Sequence, residues 1–304
     1  MQARNERSAR MRIGYFADGP WSHRALDRLL ADQSFEIAFI CARFENTDQI
    51  LREVSVARNI PFLVHPDINS DSFYSAVAEK ACDLFVSMSF NQIFRSRMID
   101  LPPNKTINCH AGKLPFYRGR NILNWVLIND EPEFGITVHY VDEGLDTGDI
   151  IFQDVYPITD VDDYGTLLAK AYVGCAEILY RAVRAIYDGT VQRTPQRSIH
   201  PVGFYCSSRR PGDELINWHV SSRALFNFVR AICRPGPQAL SLNDGNKVRI
   251  NRVELVTGAP HYHGIPGAVL QKKDSSFLVK TADSFVRVTE WTSEGPIKVG
   301  DRFR

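Results

Sequence analysis

The first hundred residues alternate between short apolar runs and segments of helical spacing, and few architectures accommodate that rhythm. MRIGYFA (11–17), FEIAFICA (35–42), a short stretch at 61–64, DLFVSMS (83–89) and KTINCH (105–110) read as strands. Between them, Trp21 to Leu30 places Leu26, Leu29 and Leu30 on one side of a helix. Gln49 to Asn59 and Ser70 to Ala81 read as two more helices. Strands that are apolar throughout and separated by helices predict an α/β fold, a Rossmann-like parallel sheet covered on both faces. On such a sheet, ligands sit beyond the carboxyl ends of the strands, here at Ser89–Asn91 and Asn108–His110.

FGITVHYV (134–141) and DIIFQDVYPI (149–158) are further strands, and Val161 to Tyr187 supports a long helix that Asp188-Gly189 stops. Residues 190–210 are polar and proline-bearing and read as a linker. Beyond them the rhythm changes. One helix, His219 to Ile232, precedes five short strands near 238–242, 247–256, 267–272, 276–281 and 284–291. Short strands separated by turn residues predict a small OB-like β-barrel. The sequence therefore divides into a catalytic domain over 11–195 and a barrel domain over 205–304.

Composition excludes several function classes. With 36 basic and 35 acidic residues the formal net charge is +1, which offers no global attraction to nucleic acid or to an anionic membrane. No apolar run reaches the ~18 residues that a spanning helix needs. The polar stretch MQARNERSAR lacks the apolar centre of a signal peptide and is expected to be a frayed lead-in. Six scattered cysteines without a CxxC pair fit a reduced cytoplasmic setting, and no His/Cys/Asp grouping has metal-site spacing, so no metal is expected. The first strand leads into GYFADGPWSHR, which lacks the GxGxxG of a dinucleotide site.

The chemistry concentrates in residues 106–151. Positions i and i+2 of a strand share a face, so Asn108 and His110 project together from the end of KTINCH, while Cys109 faces the other way. An amide donates to an oxygen that becomes negative in a tetrahedral intermediate, and an imidazole accepts a proton from an attacking nucleophile. Asp146, in a turn flanked by Gly144 and Gly148, can hold that imidazole or relay a proton. The two glycines are expected to let the turn bring the carboxylate inward. No serine or cysteine lies in a nucleophile-elbow context, so direct transfer between two bound substrates is favoured over a covalent acyl-enzyme.

Asn108-Cys109-His110, Leu114-Pro115-Phe116-Tyr117-Arg118-Gly119 and Leu145-Asp146-Thr147-Gly148 together resemble the signature of the N10-formyltetrahydrofolate-dependent formyltransferases. Arg209-Arg210-Pro211, Ile216-Asn217-Trp218 and Pro235-Gly236-Pro237 resemble the C-terminal region of members acting on methionyl-tRNA or on a nucleotide-linked amino sugar. Asn217 departs from the acidic residue common at its position. The resemblance implies Asn108, His110 and Asp146 as the catalytic trio. It implies a folate pocket from Ser89, Phe90 and Asn91 together with Val141, Asp142 and Glu143. Tyr117, Arg118 and Arg120 would border the acceptor, where guanidinium suits phosphate. N10-formyltetrahydrofolate is the implied co-substrate.

The acceptor follows from what is missing. The stretch ARFENTDQILREVSVARN (42–59) carries no basic, glycine-rich insertion of the kind found in methionyl-tRNA formyltransferases. A small-molecule nucleotide-linked amino sugar is therefore expected. The alternatives are methionyl-tRNA, an amino-acid-derived amine such as hydroxyornithine, or a folate- or nucleotide-binding module without activity. The apolar strands SFLVKTA and SFVRVTEW read as a face for a partner subunit, giving a homodimer.

Overall fold

The computed structural model describes residues 10–304, so nearly all of the polar lead-in lies outside the described residues. The chain forms two compact units. One comprises the residues through Gly119, Gly135–Val155 and Lys170–Tyr205; the other comprises Arg120–Phe134, Tyr156–Ala169 and Cys206–Arg304.

The first unit is built on a seven-stranded sheet. Its leading elements are β1 (Met11–Ala17), α1 (Pro20–Ala31), β2 (Phe35–Ala42), α2 (Gln49–Arg58), β3 (Phe62–Val64), α3 (Asp71–Ala78), β4 (Leu84–Met88), α4 (Ser96–Ile99) and β5 (Thr106–His110). Along the chain then follow β6 (Arg118–Gly119), α5 (Ile122–Ile128), which belongs to the second unit, β7 (Glu133–Tyr140), β8 (Ile150–Pro157), α6 (Tyr164–Tyr187), α7 (Gln196–Ile199) and β9 (Tyr205–Cys206). The strand order is β3-β2-β1-β4-β5-β7-β8. The pairs from β3 to β5 are parallel, whereas β7 runs antiparallel to β5, placing His139 opposite Asn108. The fold is thus the expected α/β class, with an antiparallel addition that the strand–helix rhythm did not reveal.

Local signals explain the helix limits. Pro20 opens α1, where its missing N–H removes no bond. The Asp48 carboxylate caps α2 by accepting from the Leu51 amide at 2.9 Å, and Asn59 closes it in the left-handed conformation. Successive residues of β1 serve opposite faces. Tyr15 donates to the Ser22 carbonyl of α1 at 2.8 Å. Phe16 faces the other layer, meeting Phe39, Phe73, Phe85, Phe90 and Phe94 edge-on at centroid distances of 4.9–6.2 Å. Edge-to-face pairs add about 0.5–1.5 kcal/mol each beyond area burial, so this aromatic cluster rigidifies the strand ends nearest the site.

The second unit contains α8 (Ser222–Ile232) and five strands, β10 (Ala239–Asn243), β11 (Asn246–Leu255), β12 (Val269–Lys273), β13 (Ser276–Lys280) and β14 (Phe285–Ser293). Their order is β10-β11-β14-β13-β12, with each neighbouring pair antiparallel. The last residues of the chain close the sheet. Phe303 bridges to Asn243 on the β10 side and Arg302 to Ala268 on the β12 side. Leu242 and Arg304 exchange backbone hydrogen bonds at 2.8 and 2.9 Å, and the Phe303 amide donates to the Gly267 carbonyl at 2.8 Å. Phe277, Val279, Val286 and Val288 are buried within this unit. These four apolar residues of SFLVKTA and SFVRVTEW fill the barrel's own core, while Leu278, Phe285 and Trp291 on the same strands are half-buried.

Candidate active site

The site forms where β5, β7 and the 142–148 turn converge in the first unit. The β5–β7 register sets Asn108 against His139, and the Asn108 Nδ2 lies 3.2 Å from His139 Nε2. His139 Nδ1 is 2.7 Å from the Tyr140 carbonyl. A carbonyl only accepts, so Nδ1 carries a proton, and in the neutral ring Nε2 accepts from the Asn108 amide. Asn108 is thereby held with its NH2 group on the His139 side. One N–H is used there and the second remains for another acceptor.

His110 obeys the same logic with the ring reversed. Its Nε2 lies 2.7 Å from the Tyr117 carbonyl and therefore carries the proton. In the neutral ring Nδ1 is bare, and it sits 3.7 Å from Asp146 Oδ2. His139 Nε2 is 3.5 Å from the other carboxylate oxygen. The Gly119 amide donates to Asp146 Oδ2 at 2.9 Å. Burial pushes the Asp146 carboxyl up, but His110, His139 and the Gly119 N–H outweigh it and hold the group well below the usual carboxylate range. The site therefore pairs a carboxylate that stays charged with an imidazole nitrogen able to take a proton. It also offers an oriented amide donor.

Both flanking glycines sit where the turn leaves no room for a side chain, a Cβ at Gly144 falling 1.9 Å from Thr147 Oγ1. The left-handed residue is Asp146 itself (φ 55), a conformation asparagine and aspartate tolerate better than other non-glycine residues. Gly148 is required for close approach, since a Cβ there would lie 1.9 Å from the Tyr140 carbonyl oxygen. Gly112 matters similarly, because a Cβ would lie 2.4 Å from His110 Nε2 and 2.5 Å from the Tyr117 oxygen. Cys109 turns away from the site, its thiol 3.8 Å from the Cys175 carbonyl of α6.

The two segments expected to bind folate lie beside each other. Phe90 and Val141 pack on the same phenylalanine cluster, and Ser96 donates to the Glu143 carboxylate. Ser89 is left-handed (φ 58), and its carbonyl accepts from Arg43 Nη2 at 2.8 Å. Asp142 accepts from the Gly144 amide at 3.1 Å and from Thr147 Oγ1 at 2.6 Å, ordering the turn. Asn91, Asp142 and Glu143 are exposed.

The acceptor-side residues divide. Tyr117 is buried and its carbonyl holds His110. Arg118 does not present a guanidinium to a phosphate. It is 7% exposed and donates to Gln196 Oε1, the Val202 carbonyl and the Tyr205 hydroxyl. Arg120, in the second unit, is exposed. The sequence assigns no role to His139 or Gln196, and Gly119 enters only as the end of the Leu114–Gly119 motif, without its bond to Asp146. His139 becomes significant only through a pairing register that a single sequence does not reveal.

The formyl transferase family profile matches residues 36–183, and the profile of the formyl transferase C-terminal domain matches residues 209–300. The methionyl-tRNA formyltransferase of Desulforamulus reducens is 30% identical over 239 residues, covering 78% of this chain and 73% of that protein. That of Acetivibrio thermocellus is 32% identical over 229 residues, covering 75% and 72%. The chain belongs to the formyltransferase family. It is an N-formyltransferase by that membership. Among solved structures, the N-formyltransferase from Helicobacter canadensis, in complex with folinic acid and dTDP-3-aminofucose, superposes with a TM-score of 0.69 at 19% identity. It covers 93% of this chain and 100% of that one. A 4-N formyltransferase from Francisella tularensis gives 0.67 at 21% identity, over 81% and 99%. At these identities the two structures speak to the formyltransferase fold.

Proposed function

We propose that this formyltransferase moves the formyl group of N10-formyltetrahydrofolate to the primary amine of a nucleotide-linked amino sugar, by direct attack and without an acyl-enzyme. The observation that carries the reading is the tautomer pattern at the site. Asn108 keeps an N–H for a developing oxyanion, and His110 keeps a bare Nδ1 beside the charged Asp146.

In the proposed reaction the neutral amine forms a bond to the formyl carbon, and Asn108 donates to the oxygen as it becomes negative. His110 Nδ1 takes one proton from the amine, and Asp146 offsets the resulting imidazolium charge. The bond from the formyl carbon to N10 then breaks, and N10 leaves carrying the proton that His110 took from the amine, which returns the ring to its neutral form. The segments 89–91 and 141–143 would hold the folate.

The acceptor choice is supported by the short β2–α2 connection, Arg43–Asp48, which offers no basic insertion, and by the +1 charge. One fold neighbour, solved with folinic acid and dTDP-3-aminofucose, lends the same support. Methionyl-tRNA is the second reading, favoured by the names of the sequence relatives. A cytoplasmic setting and a homodimer complete the proposal.

Nucleotide-linked amino sugars, methionyl-tRNA and hydroxyornithine, each supplied with N10-formyltetrahydrofolate, test the reading. Turnover on a sugar with shallow salt dependence is expected. Turnover confined to tRNA, falling steeply with salt as phosphate contacts require, overturns it.

A further inference from the structure

Four hydrogen bonds meet on the Gln196 side chain, and they account for every donor and acceptor position its amide offers to protein. Nε2 donates to the carbonyls of Asp146 and Gly148, both at 2.8 Å. Oε1 accepts from Arg118 Nε at 3.1 Å and Nη2 at 2.7 Å. Gln196 is 3% exposed and Arg118 7%. Because Arg118 only donates, it fixes which end of the amide is oxygen, and so directs the NH2 toward the turn.

The tripeptide Tyr117–Gly119 touches the site in three ways. The Tyr117 carbonyl holds His110, the Gly119 amide holds the Asp146 carboxylate, and the Arg118 side chain reaches the backbone of the same aspartate through Gln196. Asp146 is left-handed and its turn is largely exposed. The segment carrying Gln196 is itself anchored, since Thr194 and Ile150 exchange backbone hydrogen bonds at 2.9 Å each.

We propose that Arg118 and Gln196 form a positioning pair that sets the distance between the Asp146 carboxylate and His110. Neither touches the reacting atoms; both act through the 146–148 backbone. The activity arm of the test rests on the formyl-transfer reading of Asp146, whereas the structural arm does not.

Gln196→Glu is the informative substitution. It preserves shape and the acceptor for Arg118 but replaces the NH2 with an oxygen facing two carbonyls. Backbone amide exchange, read by mass spectrometry, is expected to accelerate in 144–149, with exchange in β1 and β4 unchanged. On whichever acceptor the wild type uses, kcat is expected to fall by about 100-fold, the scale of an ångström-sized misplacement, with the KM for the formyl donor held. In an Asp146→Asn background the same substitution is expected to cost nothing further, because the two act as one unit. An equal fold-loss in both backgrounds, or unchanged exchange in 144–149, overturns the proposal. Arg118→Lys keeps the charge but cannot make both bonds to Oε1. It carries the same two readouts if Gln196→Glu fails to fold. Should the wild type transfer formyl to no amine, the functional reading falls, and the exchange measurement still decides the positioning pair.

Discussion

Asn108 and His139 lie directly opposite each other in the one antiparallel pairing of the β5 strand, with Nδ2 and Nε2 3.2 Å apart. Since the Tyr140 carbonyl fixes the proton on His139 Nδ1, this contact fixes the Asn108 amide as well. Asn108→Ala is expected to lower kcat by about 10²–10³-fold, the loss seen on removing one oxyanion donor. His139→Ala is expected to lower kcat in the same direction but less, because a freed amide still samples the productive orientation. Steady-state kinetics on both variants check this ordering. A His139→Ala variant with wild-type kcat would show that the amide needs no such support.

The state of Asp146 gives a second expectation. Its folded carboxyl titrates below the usual carboxylate range. A group whose folded pKa is depressed stabilises the fold fully above its unfolded value, near about 3.9, and that contribution is lost as pH falls through the folded value. Asp146→Asn is therefore expected to destabilise the protein by a constant amount from neutral pH down to about pH 4 and by a shrinking amount below it. Urea unfolding of both proteins across that range measures the gap. The same charge state means that any acid limb in kcat/KM above about pH 4 reports the amine or an imidazole, not this carboxylate.

Gly112 supplies a test of His110 that leaves the imidazole in place. An added Cβ would collide with His110 Nε2 and with the Tyr117 oxygen it bonds. Both partners belong to the hydrogen bond that fixes the tautomer, so Gly112→Ala is expected to move the ring and lower kcat by about 100-fold. The far-ultraviolet circular dichroism is expected to be unchanged, since Gly112 lies outside the strands and helices. Wild-type kcat in this variant would mean that the ring tolerates the shift.

Much of this was readable from the residues, and the failures share a cause. Strands β1, β2, β4 and β5 and the five barrel strands announce themselves through apolar runs and turn residues, because burial of a strand face is a local property of sequence. Asn108 and His110 were legible for the same reason: the two-residue period places them on one face. His139 was not, because its role depends on register, which tertiary packing sets. Arg118 was misread because an arginine in a loop looks solvated until the buried Gln196, 78 positions away, is found as its acceptor. The helix α5 went unassigned because ILNWVLI is too short and too uniformly apolar to show a period.

The barrel closure by the chain's last residues yields a final expectation. Strands β10 and β12 are the edges of the five-stranded order, and residues 301–304 bond to the segments at both. Removing them would expose unpaired backbone groups along two edges and uncover Phe303, which is 3% exposed and packs against Trp218 and Phe277. Burial of a phenylalanine side chain is worth about 3–5 kcal/mol when lost to alanine. A chain ending at Gly300 is thus expected to lose at least that much stability in the second unit. Faster amide exchange is expected at Leu242 and Val269, whose amides donate to the Arg304 and Asp301 carbonyls, with β1 to β5 protected as before. Exchange mapping of the truncated and full chains distinguishes this from a general loosening, which would accelerate the first unit equally. A truncated chain with unaltered exchange at those two amides would show that the strands close without the tail.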